Sequence, residues 1–486
     1  MQIMQDISYI LPEIFLSIMG CFVLLYSAYS TITAEDEKYW NVWLITQFTL
    51  LVVIGLLLKS LFLFESPVIL FNGEVKLDKL ALLLQLFISV TSFLVFIYCR
   101  EYVKNRYIDF YSEYYVLGLF SILGMLGVVA SNSFLSIYLF LELFSLPVYT
   151  MIALDKCKVS KGSLEAALKY FVLGAISSGM LLYGISIIYG LTGELQFDLV
   201  IEKLNFVQSN DLMLILGLVF IVVGVAFKFG AVPFHMWLPD VYEGSTTSVT
   251  MFVASAPKFV AFGLAYRLLF EVLGFAVVQW QELLIFVAVL SLIIGNMVAI
   301  LQDNIKRLFA YSAIGHVGYI LLALMLGTNE GLSAGLLYVF IYVIMTLAAF
   351  GCIIYCSRVG FEAENINNYR GLSQRSPLIA LIMLIVMFSM AGIPPFLGFY
   401  SKFFVINALV THGHTLLAIT AVLFSVIAAF YYLRVVWVMY FQSSEEQDEI
   451  TDVIDLRYVI SINGLFIVFS AFFINYIIKL CSIAFM

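Results

Sequence analysis

Apolar stretches of about 20 residues follow one another along almost the whole chain, separated by short polar segments. About 20 residues is the length a helix needs to cross the hydrocarbon core of a bilayer. The chain then holds about fourteen spans, near residues 8–29, 41–63, 79–99, 114–131, 134–153, 164–190, 211–231, 246–272, 278–301, 308–327, 331–357, 376–408, 415–441 and 458–482. Composition agrees: 63% of the 486 residues are hydrophobic and 12% charged, with a mean hydropathy of +1.05, where a soluble domain carries roughly 25% charged residues. The expected fold is an all-α membrane protein. The first stretch follows Asp6 with no basic segment before it and is too long for the core of a signal peptide, so it reads as a retained helix.

Lysine and arginine orient this bundle. Fourteen of the 24, among them Lys38, Arg100, Lys104, Lys156, Lys158, Lys306, Arg307, Arg358, Arg370 and Arg375, fall on the side that holds the loop after the first helix. Only Lys76, Lys79, Lys203, Arg267 and Lys479 fall on the other. By the positive-inside rule the first side is cytoplasmic and both termini face outward.

The remaining cations lie inside spans. Lys169, Lys228, Lys258 and Lys402 interrupt apolar runs, as does Glu142 in SFLSIYLFLELFSLPVY; Lys59, near a span end, can snorkel to the interface. A charge at the centre of a membrane helix costs about 2.5–3.5 kcal/mol on insertion scales, so such residues persist where they face protein or a water path. Five of them in one polytopic chain point to ion or proton movement. Lysine suits a relay, because desolvation lets it release its proton and a nearby carboxylate restores the charge. His235 in PFHMW and His316 in YSAIGHVGY are further candidates for a proton path, each against the plainer reading of a capping or core histidine.

Two spans are broken beside such a lysine. GAVPF at 230–234 follows Lys228, and GIPPF at 392–396 precedes Lys402. Proline removes an intrahelical hydrogen bond, and backbone groups freed at membrane depth need partners or water. Paired broken helices in corresponding halves point to the site of an inverted-repeat transporter. The expected organisation is a three-helix region over 1–110, a five-helix repeat over 111–275 (helices 4–8), a second over 276–441 (helices 9–13), and an acidic loop with a last helix over 442–486.

The six cysteines are scattered without disulfide, metal or iron–sulfur spacing, and no GxGxxG, Walker or flavin motif occurs. The chain is therefore expected to hold no cofactor and no metal, and the lack of a basic patch argues against nucleic acid.

VAFKFGAVPFHMWLPDVYEGS, ASAPKF, NIKRLFAYSAIGHVGY and SMAGIPPFLGFYSKF, with LELFSLPVY, SLEAALKYFVLGAISSG and a weaker LPEIFLS, together resemble the antiporter-like membrane subunits of NADH:quinone oxidoreductase, respiratory complex I. The resemblance covers the whole chain and is strongest over about 135–435. It implies a fourteen-helix, non-redox subunit of a translocase, which moves protons through two half-channels joined by buried lysines while quinone is reduced elsewhere in the complex. It assigns Glu142 and Lys228 to a buried ion pair of the first half-channel and Lys258 to the centre. Lys402 would lead to the second half-channel, and Lys169 would lie between the glutamate and the centre. The paralogues differ at the helix 12 position, one carrying glutamate, so Lys402 points to a lysine-bearing paralogue. Implied partners are other membrane-arm subunits, antiporter-like paralogues among them, the lipid bilayer and, indirectly, the NADH, flavin and iron–sulfur subunits and quinone. The implied location is a bacterial inner membrane, with a mitochondrial inner membrane as the alternative. A subunit of a multisubunit Na⁺/H⁺ antiporter, which shares fold and lysines, is the rival function.

Overall fold

The computed structural model describes residues 2–30, 35–106, 110–154, 161–207, 211–357, 361–443 and 453–485. Lys156, Cys157, Lys158, Arg358 and most of the acidic loop (444–452) lie outside the described residues. Among those described, thirteen helices are long and apolar enough to span a membrane, from Leu11–Tyr29 to Ile454–Ile483. The run expected at 376–408 forms two shorter helices, Pro377–Ala391 and Leu397–Thr411, and this broken span completes the fourteen. The sheet content among the described residues is one short antiparallel hairpin, in which Val68–Leu70 pairs with Val75–Leu77.

The chain forms two compact units. The first comprises residues 1–96, 103–225 and 256–280. In lipid, apolar surface gains little by leaving the solvent, so helices associate through close backbone packing. The helices Tyr111–Ala130 and Phe134–Ala153 show it: a Cβ on Gly124 would lie 2.7 Å from the Phe144 Cα. Between them the chain turns at Ser133, whose hydroxyl accepts from the Ser136 backbone N–H at 3.1 Å and caps the second helix.

The second unit comprises residues 97–102, 226–255 and 281–486. Asn304 caps the helix Ile305–Leu324 by accepting from the backbone N–H of Lys306 and Arg307. Lys306, in the first turn of this helix, is fully buried. Its ammonium donates to the Ser245 carbonyl at 2.7 Å and pairs with Glu364 at 3.1 Å. Arg307 pairs with Asp240 and Glu243 on the short helix Trp237–Gly244. These contacts tie the far end of the first broken segment to the start of the next helices.

Enclosure differs between spans. The spans carrying Lys258 and His316 are 94% and 89% buried over their apolar windows, against 28% for Thr415–Phe441. Exposed Leu416, Val426 and Phe430 on that outer helix meet the surroundings, as lipid-facing positions do.

Candidate proton-relay site

Lys258 sits where a helix is interrupted. Thr247–Ala254 ends at Ser255, whose φ of −110° and ψ of −87° leave the helical region, and a new helix runs Ala256–Ala265. Pro257, in that first turn, has no N–H to give the Val253 carbonyl, so the break falls where proline is tolerated. Lys258 follows at once and is 2% exposed. Its neighbour Phe259 packs against Phe87 of Lys79–Tyr98, with ring centroids 5.3 Å apart.

Lys402 occupies the second broken span. Pro377–Ala391 ends at Gly392, which takes a left-handed φ of +87° and leaves no room for a side chain, since a Cβ there would lie 2.9 Å from the Lys402 Cδ. The break frees the Ala391 carbonyl, and the Lys402 Nζ donates to it at 2.8 Å and to the Ser425 hydroxyl at 3.0 Å. The ammonium also lies 5.5 Å from the centre of the Tyr319 ring. A small cavity opens beside it, lined by Asn296, Ser312, His316, Tyr431 and Tyr432 among others.

His316 is bound on both ring nitrogens, Nδ1 to the Tyr338 hydroxyl at 2.7 Å and Nε2 to the Tyr432 hydroxyl at 3.0 Å; Tyr432 in turn pairs closely with Ser312. A hydroxyl both donates and accepts. Ser312, Tyr432, His316 and Tyr338 therefore form a chain able to reverse its hydrogen-bond direction, which is what proton transfer along it requires. Sequence reading singled out His316 but not the tyrosines, because nothing in their spacing separates them from ordinary packing aromatics.

The first broken segment repeats this backbone logic. Gly230 is left-handed at φ +74°, and each GxxPF motif holds a cis X–Pro bond at its fourth residue. The Val232 N–H, beyond the end of the helix Leu212–Phe229, donates to Ser291 at 2.9 Å, and the Trp237 indole donates to the freed Phe227 carbonyl at 3.3 Å. Lys228 is half-buried in the last turn of that helix. His235 is 5% exposed, and its Nδ1 has no hydrogen-bond partner among the described residues.

Glu142 is half-buried with its Oε1 buried and without a hydrogen-bond partner among the described residues. Lys169 departs from a purely interior position. It is 44% exposed and pairs with Glu165, one helical turn earlier, at 2.8 Å.

The largest charge cluster was not expected. Arg267, counted from sequence among the outer-side loop cations, is buried in a π-helical turn, Tyr266–Val272. Its guanidinium forks onto Asp78 at 2.7 and 3.0 Å, pairs with Glu271 at 2.7 Å and donates to the Val129 carbonyl; Lys76 closes on Glu271. Burial pushes the Asp78 carboxyl up, but the Arg267 charge and its hydrogen bonds outweigh that and hold it below the usual carboxylate range. The available signal was Arg267 and Glu271 four residues apart, with Asp78 at the head of an apolar run. Among the described residues, no three His, Cys, Asp or Glu side chains converge as a metal site.

A family profile described as NADH:quinone oxidoreductase/Mrp antiporter, transmembrane, matches residues 131–428. NADH-quinone oxidoreductase subunit N of Alkalilimnicola ehrlichii is 45% identical over 99% of this chain and 97% of its own length. The subunit of the same name from Thioalkalivibrio sulfidiphilus is 45% identical over 98% of each. Among solved structures, a chain of respiratory complex I from Thermus thermophilus with bound aureothin superposes with a TM-score of 0.81 at 28% identity, covering 97% of this chain and 99% of that one.

Proposed function

The chain belongs to the NADH:quinone oxidoreductase/Mrp antiporter transmembrane family, and from that premise we propose that it is a non-redox, proton-translocating membrane-arm subunit of an NADH:quinone oxidoreductase. The observation that carries this reading is the Lys402 site, a buried ammonium held by a carbonyl that a helix break sets free, beside a polar cavity and a reversible hydrogen-bond chain. Glu142, Lys169, Lys228 and His235 serve the first half-channel, Lys258 the centre, and His316 and Lys402 the second. Residues 111–275 and 276–441 are the two repeats that carry the half-channels. Quinone reduction happens in other subunits, and the chain works beside other membrane-arm subunits, antiporter-like paralogues among them, with no cofactor of its own.

Native purification of the intact assembly tests the placement. NADH-dehydrogenase and iron–sulfur subunits should co-purify with the chain; a set made only of Na⁺/H⁺ antiporter subunits would overturn the reading. Within the purified complex, Lys402→Met keeps the side chain's length and removes the proton. Assembly should persist while protons pumped per NADH fall, whereas unchanged pumping would remove Lys402 from the route.

In this reading the membrane is a bacterial inner membrane and both termini face outward. A single cysteine placed at exposed Asn205 should react with an impermeant reagent from the outer side, and one at Arg370 from the cytoplasmic side. Labelling of position 205 from the cytoplasm alone would contradict the orientation.

A further inference from the structure

Glu13 lies in the first turn of the helix Leu11–Tyr29, a membrane-length helix. The Gln85 amide nitrogen donates to its Oε1 at 2.7 Å and to the Leu126 carbonyl at 3.2 Å. That carbonyl can only accept, so it fixes which end of the Gln85 amide faces the pair, and both amide hydrogens are used. Two atoms are left over. Glu13 Oε2 and Gln85 Oε1 are both buried and have no hydrogen-bond partner among the described residues. Both are acceptors, so as carboxylate and amide the pair has two orphaned acceptors and no donor. One proton on the Glu13 Oε2 turns that oxygen into a donor, so that the pair no longer consists of acceptors alone. No cation pairs with Glu13 among the described residues, so no ion pair there offsets a bare charge inside the span.

The surroundings continue the polarity along one helix face. Gln85, Ser89 and Ser92 are buried and recur at helical spacing on Lys79–Tyr98. Ser89 donates to the Gln85 carbonyl, and the Ser92 hydroxyl is buried without a partner among the described residues. The contact between Phe87 and Phe259 sets the register against the Lys258 helix. Gln85 is two residues from Phe87 and Lys258 is next to Phe259, so the two lie within about one helical turn in height. The Arg267–Asp78 cluster sits about two turns further along, at the Lys76 end.

We propose that Glu13 is a proton-binding site of the N-terminal helices: it carries an exchangeable proton on Oε2, is held by Gln85, and gains and loses that proton as the complex turns over. The step moves one proton, with the carboxylate becoming the neutral acid and the donor losing one positive charge. This rests on the reading of the chain as a proton-moving subunit. Infrared difference spectra of the intact purified complex, reduced with NADH against oxidised, in H₂O and in D₂O, test it. A carboxylic-acid carbonyl band that shifts in D₂O and is missing in Glu13→Gln supports the site; spectra identical in wild type and Glu13→Gln overturn it. Should Glu13→Gln fail to assemble, Gln85→Met serves instead. Loss of the amide must displace that band, and a band left unmoved overturns the proposal. Normal pumping by Lys402→Met would remove Lys402 from the route without touching the band, so the two failures are distinguishable.

Discussion

Lys258→Met should abolish proton pumping through this subunit in complexes that still assemble, and Lys258→Arg should not restore it. The lysine is almost wholly enclosed, beside a helix break and in the most buried span of the chain. Methionine keeps the length and loses the proton. Arginine keeps the charge, but its guanidinium essentially never deprotonates in a protein, so a relay through it stops. A lysine that served only to hold helices together would tolerate arginine. Proton uptake and NADH:quinone turnover, each normalised to assembled complex, should both fall in the two variants. Arginine matching wild type while methionine fails would assign Lys258 a structural role.

Arg267→Met should have the largest effect on stability. It leaves the largely enclosed carboxylates of Asp78 and Glu271 without their guanidinium, Glu271 keeping only Lys76, and removing one partner from a buried ion pair costs about 3–5 kcal/mol. That is a large share of a typical folding free energy, so the variant should fail to accumulate in the membrane. Neutralising Asp78 as well, as Arg267→Met with Asp78→Asn, removes the uncompensated carboxylate while Glu271 keeps Lys76 and should recover much of the loss. The pH dependence follows from Asp78. Its folded pKa lies below the unfolded value, so its contribution is fully present above the usual carboxylate range and lost as pH falls through the folded value. Thermal unfolding of the detergent-solubilised complex should therefore show this loss only in strong acid. Normal accumulation of Arg267→Met would mean that the cluster is dispensable.

The layout of this molecule was largely legible in its sequence because each helix must meet the bilayer alone. Run length placed the spans within a few residues, and Gly-x-x-Pro-Phe placed both breaks, since no glycine-proline pair could continue a helix there. The buried state of Lys258 and Lys402, and of His316, followed from charge or polarity set in apolar runs. Pairings were another matter. Arg267 and Asp78 are 189 residues apart, and position near a span end made Arg267 look like a solvated loop cation. The pairing of Lys306 was hidden for the same reason, as its partner Glu364 arrives from a loop 58 residues away. Lys169 shows the reverse: a lysine in an apolar run that looks outward, with a glutamate one turn earlier to share its charge. The tyrosines around His316 carried no periodic signature, because their role depends on where three helices meet.

The most direct measurement of the central claim is proton pumping per NADH oxidised, in proteoliposomes, for Lys258→Met, Lys402→Met and the double variant. If the two lysines stand in series on one route, each single variant loses this subunit's whole share and the double loses no more. Losses that add in the double variant, or normal pumping by either single variant, would contradict a single relay through both lysines.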